Sequence, residues 1–368
     1  MKILLLGDYS NCHRTLAKGL EAEGCRVTLA SDGSKWMDCA RNIDISRRPG
    51  KAGGLIHYVG MQSLLRNSLK GFDIVAINDP NFTSLRPERL RELFDVLRNR
   101  NGKVFLTMMS TDIPFLDMLA APDSPIRYSE WFVDGRPARM NAQNPGMWEA
   151  WHNKALVDYH NYVYDHIDGA VSVLYEYHKS LERRLPADRI AYAGLPIDTS
   201  EHYYEEIPWE VDKVKIFLGR DRTRQLMKGS DLLEQAARIV MKRHPDKAEF
   251  TLVENVPYSE FSRKLRDSHV VLDQIYSYTP AMTALMAMST GRVAVSGGEP
   301  EYYDFIGERE LRPVVNAPIE LDALEEALEE LVVHPEQLRE RGLQSRMFVD
   351  RHNDSRVVAR RFLDFWTK

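Results

Sequence analysis

A strand-then-helix alternation that runs, stops and starts again constrains this chain more than any short motif in it. The first run opens on residues 2–6 (KILLL), stopped by Gly7. Helical spacing follows over 11–23, where Leu16 and Leu20 stand four apart, and CRVTLAS at 25–31 returns to strand. Short apolar runs bounded by turn residues read as buried strands, and their alternation with helices reads as a parallel sheet covered on its faces. Further strands are expected at 72–78, 103–109, 169–175 and 189–198, with helices at 57–69, 87–98, from 113 onward and at 151–167. Residues 32–54 and 121–147, rich in Arg, Gly and Pro, read as loops.

Residues 200–213 (SEHYYEEIPWEVDK) are acidic, aromatic and without period. The alternation then restarts, with strands expected at 215–220, 248–255, 269–275, 292–298 and 313–318, and helices at 229–242, 259–268, 280–290, 321–333, 335–347 and 355–367. The fold class that follows is α/β, two doubly wound Rossmann-like domains facing a cleft. The expected domains are 1–198, a linker at 199–213, 214–350, and a terminal helical segment 351–368. A length of 368 residues suits two such domains. Ligands of doubly wound sheets bind beyond the carboxyl ends of the strands.

Charge narrows the partners. Forty-nine Lys and Arg against 54 Asp and Glu leave a formal charge of −5, so no dominant basic field directs the chain to nucleic acid. The three cysteines, Cys12, Cys25 and Cys39, form no Cys-x-x-Cys pair and make neither a disulfide framework nor a zinc site. A reducing, cytoplasmic setting is expected, with peripheral placement at the inner face of a membrane as its variant. The apolar start breaks at Gly7-Asp8, too short for a signal core or a membrane span. The basic run Arg41, Arg47, Arg48, Lys51 suits anionic lipid, a phosphorylated acceptor or simply solvent.

Three loops at strand ends carry candidate chemistry. In LGRDRTRQLMKGSDLL (218–233), Gly219 ends a strand, Arg220, Arg222, Arg224 and Lys228 follow, and Gly229 opens a helix. Arginine forks and a lysine point charge suit a diphosphate, and the same residues also suit a solvated basic loop. In DQIYSYTPAMTALMAMST (273–290), Thr279 is expected as N-cap and Pro280 as first helical residue, which offers free amides and a positive dipole end to an anion. Glu299 follows the Gly297-Gly298 turn at the rim of the same site. In the first half, GDYSNCH (7–13) lacks the Gly-x-Gly-x-x-Gly dinucleotide fingerprint, but Ser10, Asn11 and His13 are placed to line a cleft. His13 suits a base or a phosphate partner, or a capping role. Thr111 and Asp112 follow another strand; Asp112 suits a base, and equally an N-cap. His152, His160 and His166 lack the spacing of a helical metal pair, and no metal site is expected.

The second half resembles the retaining glycosyltransferases of the GT-B fold, the group called glycosyltransferase family 4 or group 1 transferases. The resemblance rests on Gly219-Arg220 with Lys228-Gly229, on VVLDQ with the helix after it and GRVAVSGGEPE, on VPYSEF at 256–261, and on the closing stretch from HPEQLRERG to FVDRHNDSRVVARRFLDFW. It implies an acceptor-binding first domain, a nucleotide-sugar-binding second domain and a last helix that crosses back to the first. It implies Arg220 and Lys228 on the leaving diphosphate, amides around Ala281, Met282 and Thr283 beside them, backbone near Asn255 and Val256 at the base, and no metal. Where that family carries two glutamates eight positions apart, this chain has Tyr278 and Met286. Methionine cannot bind the ribose hydroxyls as a carboxylate does, which leaves Gln274, Tyr278 or Glu299 to do so. The function expected from the resemblance is a hexosyltransferase-type enzyme of polysaccharide biosynthesis, moving a sugar from a UDP- or GDP-sugar to a glycan or lipid-linked acceptor. The alternatives are a non-catalytic relative that binds a sugar nucleotide or glycan, and a sugar-nucleotide epimerase.

Overall fold

The computed structural model describes residues 1–34 and 37–368. Its strands in chain order are β1 (Lys2–Leu6), β2 (Arg26–Ser31), β3 (Ile43–Asp44), β4 (Ile74–Ile77), β5 (Lys103–Met108), β6 (Phe132–Val133) and β7 (Arg136–Pro137). They continue with β8 (Gly169–Ser172), β9 (Ile190–Tyr192), β10 (Val214–Arg220), β11 (Ala248–Glu254), β12 (Val270–Leu272), β13 (Val293–Ser296) and β14 (Val315–Asn316). Two compact units contain them. One holds Met1–Ser124, Asn144–Pro196 and Ser355–Lys368; the other holds Pro125–Gln143 and Ile197–Asp354.

The first unit is a seven-stranded parallel sheet in the order β3-β2-β1-β4-β5-β8-β9. Helices separate β1 from β2 and each of its strands from β3 onward from the next, and all four residues of β4 and of β8 are buried. Such continuous apolar strands belong to sheets covered on both faces. The order reverses between β1 and β4, so the loops after Leu6 and Ile77 sit at a topological switch point.

The second unit is a five-stranded parallel sheet in the order β11-β10-β12-β13-β14. Its two core clusters follow the period of two along a strand. Ile216, Leu218, Val270 and Leu272 face one cluster, while Phe217 and Val271 face the other with Val253, Leu265 and Ala287. The reversal falls between β10 and β12, which places Arg220 and the residues after Leu272 at the switch point.

Several boundaries differ from the sequence expectation. Within 32–54, read as loop, lie β3 and the start of a helix running Gly50–Asn67. Two glycines masked that start: a Cβ at Gly53 would stand 2.2 Å from the Arg48 carbonyl oxygen, so the backbone needs glycine there. The expected 151–167 helix is two, Pro145–Trp151 and Lys154–His166, because Asn153 caps the second by accepting from Ala155 N at 3.1 Å. Residues 125–143, expected within a continuous first domain 1–198, cluster with the second unit and form the β6-β7 hairpin and the short helix Arg139–Gln143. Residues 199–213 hold no helix or strand and also pack on the second unit: Glu205 N donates to Thr290 O at 3.2 Å, and the Arg339 guanidinium lies 3.7 Å from the Trp209 ring centroid. The terminal helix Ser355–Trp366 belongs to the first unit, where Gly19 lets it approach the helix Cys12–Ala22 so closely that a Cβ would meet the Ser355 carbonyl oxygen at 2.1 Å.

Candidate functional site

In the second unit the β10 and β12 loops are tied together. Lys228 Nζ donates to Asp273 Oδ1 at 2.8 Å, and Ile275 N donates to Lys228 O at 2.9 Å. Gly229 takes a left-handed φ of 67°, and a Cβ there would stand 2.8 Å from Ile275. This glycine turns the chain into the helix Ser230–Arg243 and packs on the β12 loop. Asp273 is buried and also accepts from Ser296 Oγ at 3.2 Å. Its sequence signal is a lone acid directly after the apolar strand VVL.

Arg220 is not a bare cation. Its Nε donates to Glu254 at 2.6 Å and its Nη1 to Glu234, so two carboxylates orient the guanidinium. Arg222 joins the same Glu254 at 2.8 Å. At Gly219, the end of β10, a Cβ would stand 2.2 Å from the Phe261 ring. Its role is packing between β10 and the helix Tyr258–Arg266.

The helix after β12 runs Met282–Ser289, with Ala281 as N-cap and no side-chain cap bond. Thr279 and Pro280, expected to begin it, lie in the preceding loop, where the Thr279 carbonyl accepts from Ser277 Oγ. Alanine at the N-cap therefore offers no side-chain acceptor to the first-turn amides. Gln274 is half-buried beside Asp273, and Asn255 is exposed with φ 53°, followed by half-buried Val256. Met286 is buried, and the Tyr258 hydroxyl lies 3.8 Å from its sulfur.

Tyr278 and Glu299 have other duties than a ribose. The Tyr278 hydroxyl accepts from Arg127 N at 2.9 Å, and its ring packs on Tyr128 with centroids 4.9 Å apart. Burial pushes its phenol up. Glu299 Oε1 accepts from Tyr128 at 2.5 Å and from Asn316 Nδ2 at 2.7 Å. Both residues thus hold the 125–143 segment, which also brings Arg139 to Asp231 in the first turn of the helix Ser230–Arg243. Sequence reasoning had no signal for this, because the partners stand 92 to 171 positions apart.

In the first unit, His13 is fully buried rather than cleft-lining. Its Nδ1 donates to the Gly7 carbonyl at 2.7 Å and its Nε2 lies 3.0 Å from Thr107 Oγ1. A carbonyl only accepts, so the proton sits on Nδ1 and Nε2 accepts from the hydroxyl. Burial pulls the ring down to about 4, which removes it as a base or a cationic phosphate partner near neutrality and makes it a structural link. Asp112 is the N-cap of the helix Ile113–Ala120, accepting from Phe115 N at 3.0 Å and from the Tyr164 hydroxyl. Its burial raises it to about 7. Thr111 is half-buried beside it.

Ser10 is exposed and Asn11 half-buried, both with positive φ. Asn11 makes no side-chain cap; Asp8 caps that helix instead, accepting from His13 N at 2.8 Å. Burial raises Asp8 to about 7. Asp79, after β4, accepts from Ser110 and from Asn81 N, and burial raises it to about 6. Asp8 and Asp79 occupy the switch point of this sheet and were not singled out in the sequence. Their signal is an acid two residues after an apolar strand. Among the described residues no group of three His, Cys, Asp or Glu is placed to hold a metal. No helix there is long and apolar enough to cross a membrane.

No protein-family model and no curated protein matches this chain. Solved structures do. A sucrose-phosphate synthase from Thermosynechococcus elongatus aligns over 100% of this chain and 98% of its own with a TM-score of 0.64 at 14% identity. Anabaena HepE, solved with UDP and glucose, aligns over 100% and 99% with a TM-score of 0.59 at 10% identity. A UDP-N-acetylglucosamine 2-epimerase, so described in its structure from Listeria monocytogenes, aligns over 99% and 94% with a TM-score of 0.58 at 12% identity. At these identities the likeness is one of fold. Two parallel doubly wound sheets, each with its loops gathered at a switch point, give this chain the GT-B fold.

Proposed function

We propose that this chain is a glycosyltransferase that takes a nucleotide diphosphate sugar, with the nucleotide on the second unit and a glycan or lipid-linked acceptor on the first. The observation that carries the reading is the junction of Lys228-Gly229 with the β12 loop, directly before the uncapped start of the helix Met282–Ser289. A cation and first-turn amides at one switch point suit a diphosphate leaving group, which gains negative charge as the glycosidic bond breaks. Arg220, Lys228 and those amides supply the neutralisation in this reading, and a divalent metal is not needed for it. Retention of anomeric configuration is part of the proposal through the family resemblance.

Glu234 and Glu254 aim Arg220 in the resting protein. A diphosphate competes for Arg220 with these two carboxylates and for Lys228 with the one carboxylate of Asp273, so the helix amides carry more of the initial binding. Asp112 and Asp79 are the acids of the first unit's strand ends. Both are buried and engaged by their own neighbours, and burial makes them hold protons to higher pH than usual, so they shape the strand ends rather than supply a permanent charge.

The test is a panel of UDP- and GDP-sugars read by thermal shift and by release of the nucleoside diphosphate. A stabilising sugar nucleotide with release in the presence of a sugar acceptor is expected. Lys228→Ala should weaken binding by about ten-fold or more. No stabilisation by any member of the panel would remove the reading.

One observation favours a second reading, a non-catalytic sugar-nucleotide binder: Met286 is buried against Tyr258 where the resembling family places a ribose carboxylate. Binding without release across acceptors selects it. Interconversion of two sugar nucleotides without an acceptor would select the epimerase, the activity named for the Listeria structure.

A further inference from the structure

Among the described residues, nothing covers one face of the helix Gly50–Asn67. Leu55 is 52% exposed, Ile56 67% and Val59 58%. At 3.6 residues per turn, Ala52, Leu55, Ile56 and Val59 fall within an arc of about 100°. The opposite face is anchored, with Met61 and Leu65 buried. The exposed stripe is therefore a fixed feature of a packed helix and not a frayed end.

Charge frames the stripe. The eighteen residues of this helix contain no Asp or Glu. Lys51 borders the stripe at one end and Arg66 lies at the other, while Arg47 and Arg48 precede the helix. Gly53 and Gly54 lay that basic loop against the first turns: a Cβ at Gly54 would meet the Arg47 guanidinium at 3.0 Å. Arg47 donates to Ser84 O at 2.7 Å, so it is held by backbone and keeps its charge available. On the neighbouring helix Pro87–Arg100, Glu92 is engaged by the Tyr58 hydroxyl, and Arg89 donates to Gly54 O at 3.3 Å. Arg41, grouped with this run in the sequence, is instead taken by Asp38 and Asp44.

We infer that this face docks on the surface of an anionic lipid bilayer. Leu55, Ile56 and Val59 enter the interfacial region while Arg47, Arg48, Lys51 and Arg66 meet anionic headgroups. A helix lying in the interface with an apolar stripe and basic flanks gains from both terms. A second copy of the chain fits less well. Like charges would face each other across such a dimer, and three side chains offer a few hundred Å² where a stable interface needs roughly 1,200–2,000 Å². The inference stands independently of the proposed transferase activity.

The test is co-sedimentation of the full chain with vesicles of phosphatidylcholine alone or with about 30 mol% phosphatidylglycerol. Binding to the anionic vesicles is expected to be at least about ten-fold tighter and to weaken as salt rises. The pair Ile56→Asp and Val59→Asp should abolish it, and the pair Arg48→Glu and Lys51→Glu should remove the preference for anionic lipid. All four positions are exposed, and an unchanged melting temperature verifies folding. Should the first pair fail to fold, the second pair decides alone. No binding to anionic vesicles, or binding indifferent to both pairs, overturns the inference. So does a concentration-dependent dimer by light scattering that the Ile56→Asp and Val59→Asp pair dissolves.

Discussion

The hydroxyl of Tyr128 donates to Oε1 of Glu299 across 171 positions of sequence, at 2.5 Å. With the Tyr128–Tyr278 ring contact, this bond fastens the 125–143 segment to the loops that follow β12 and β13. Tyr128→Phe removes a hydrogen bond to a charged acceptor and keeps the ring. It should lower stability by about 1.5–3 kcal/mol, measured by urea unfolding. Tyr128→Ala should lose roughly a further 0.5–1.5 kcal/mol for the aromatic pair, beyond the area it uncovers. Equal stability of Tyr128→Phe and the wild type would show that the bond adds nothing.

Met286 tests the ribose position. The Tyr258 hydroxyl already stands beside it and would donate to a carboxylate placed there. Met286→Glu should tighten binding of a nucleoside diphosphate by about ten-fold or more, read by calorimetry. An unchanged Kd takes the ribose away from this helix.

The buried acids and histidines of the first unit set opposing pH dependences. Asp112 has its folded pKa raised from 3.8 to about 7 by burial. The folded state then holds a proton that the unfolded chain releases, so stability present below about pH 4 is lost as pH rises to about 7. His13 and His160 are lowered by burial from 6.5 to about 4 and about 3. Their contribution is present above about pH 6.5 and is lost as pH falls through the folded values. Asp112→Asn removes one side of this balance. Its stability relative to wild type should rise between pH 4 and 7, by an amount on the order of 2–4 kcal/mol, in urea unfolding at a series of pH values. A difference that stays constant over that range would mean that Asp112 is ionised throughout.

Gly19 is the point where the last helix seats. Gly19→Ala drives a methyl toward the Ser355 carbonyl oxygen at 2.1 Å, against backbone that cannot rotate away. A loss of about 1–3 kcal/mol is expected in thermal or urea unfolding. An exposed control, Gly146→Ala, meets nothing within 4 Å and should leave stability within about 0.5 kcal/mol.

The strands were legible because burial on both faces demands unbroken apolar runs. KILLL, VVL and VAVS declare themselves without any partner. The helix at Gly50 did not, because glycines weaken the helical pattern and only close contact with Arg48 explains them. The cations of the β10 loop were also legible, since four of them stand within nine residues, 220 to 228. Their pairing was not: Glu234, Glu254 and Asp273 reach Arg220 and Lys228 from a helix and two other strand ends.

The sequence by itself determined the two parallel sheets and the strand-end loops where polar residues gather, because hydrophobic period and turn residues act locally. Tertiary structure alone decided what those residues do. It buried His13 between Gly7 and Thr107, made Asp112 a cap, gave Tyr278 and Glu299 to the 125–143 segment, and set Met286 against Tyr258. A side chain's charge, exposure and partners depend on neighbours many positions away, and only the packed sheets bring those neighbours within hydrogen-bond reach.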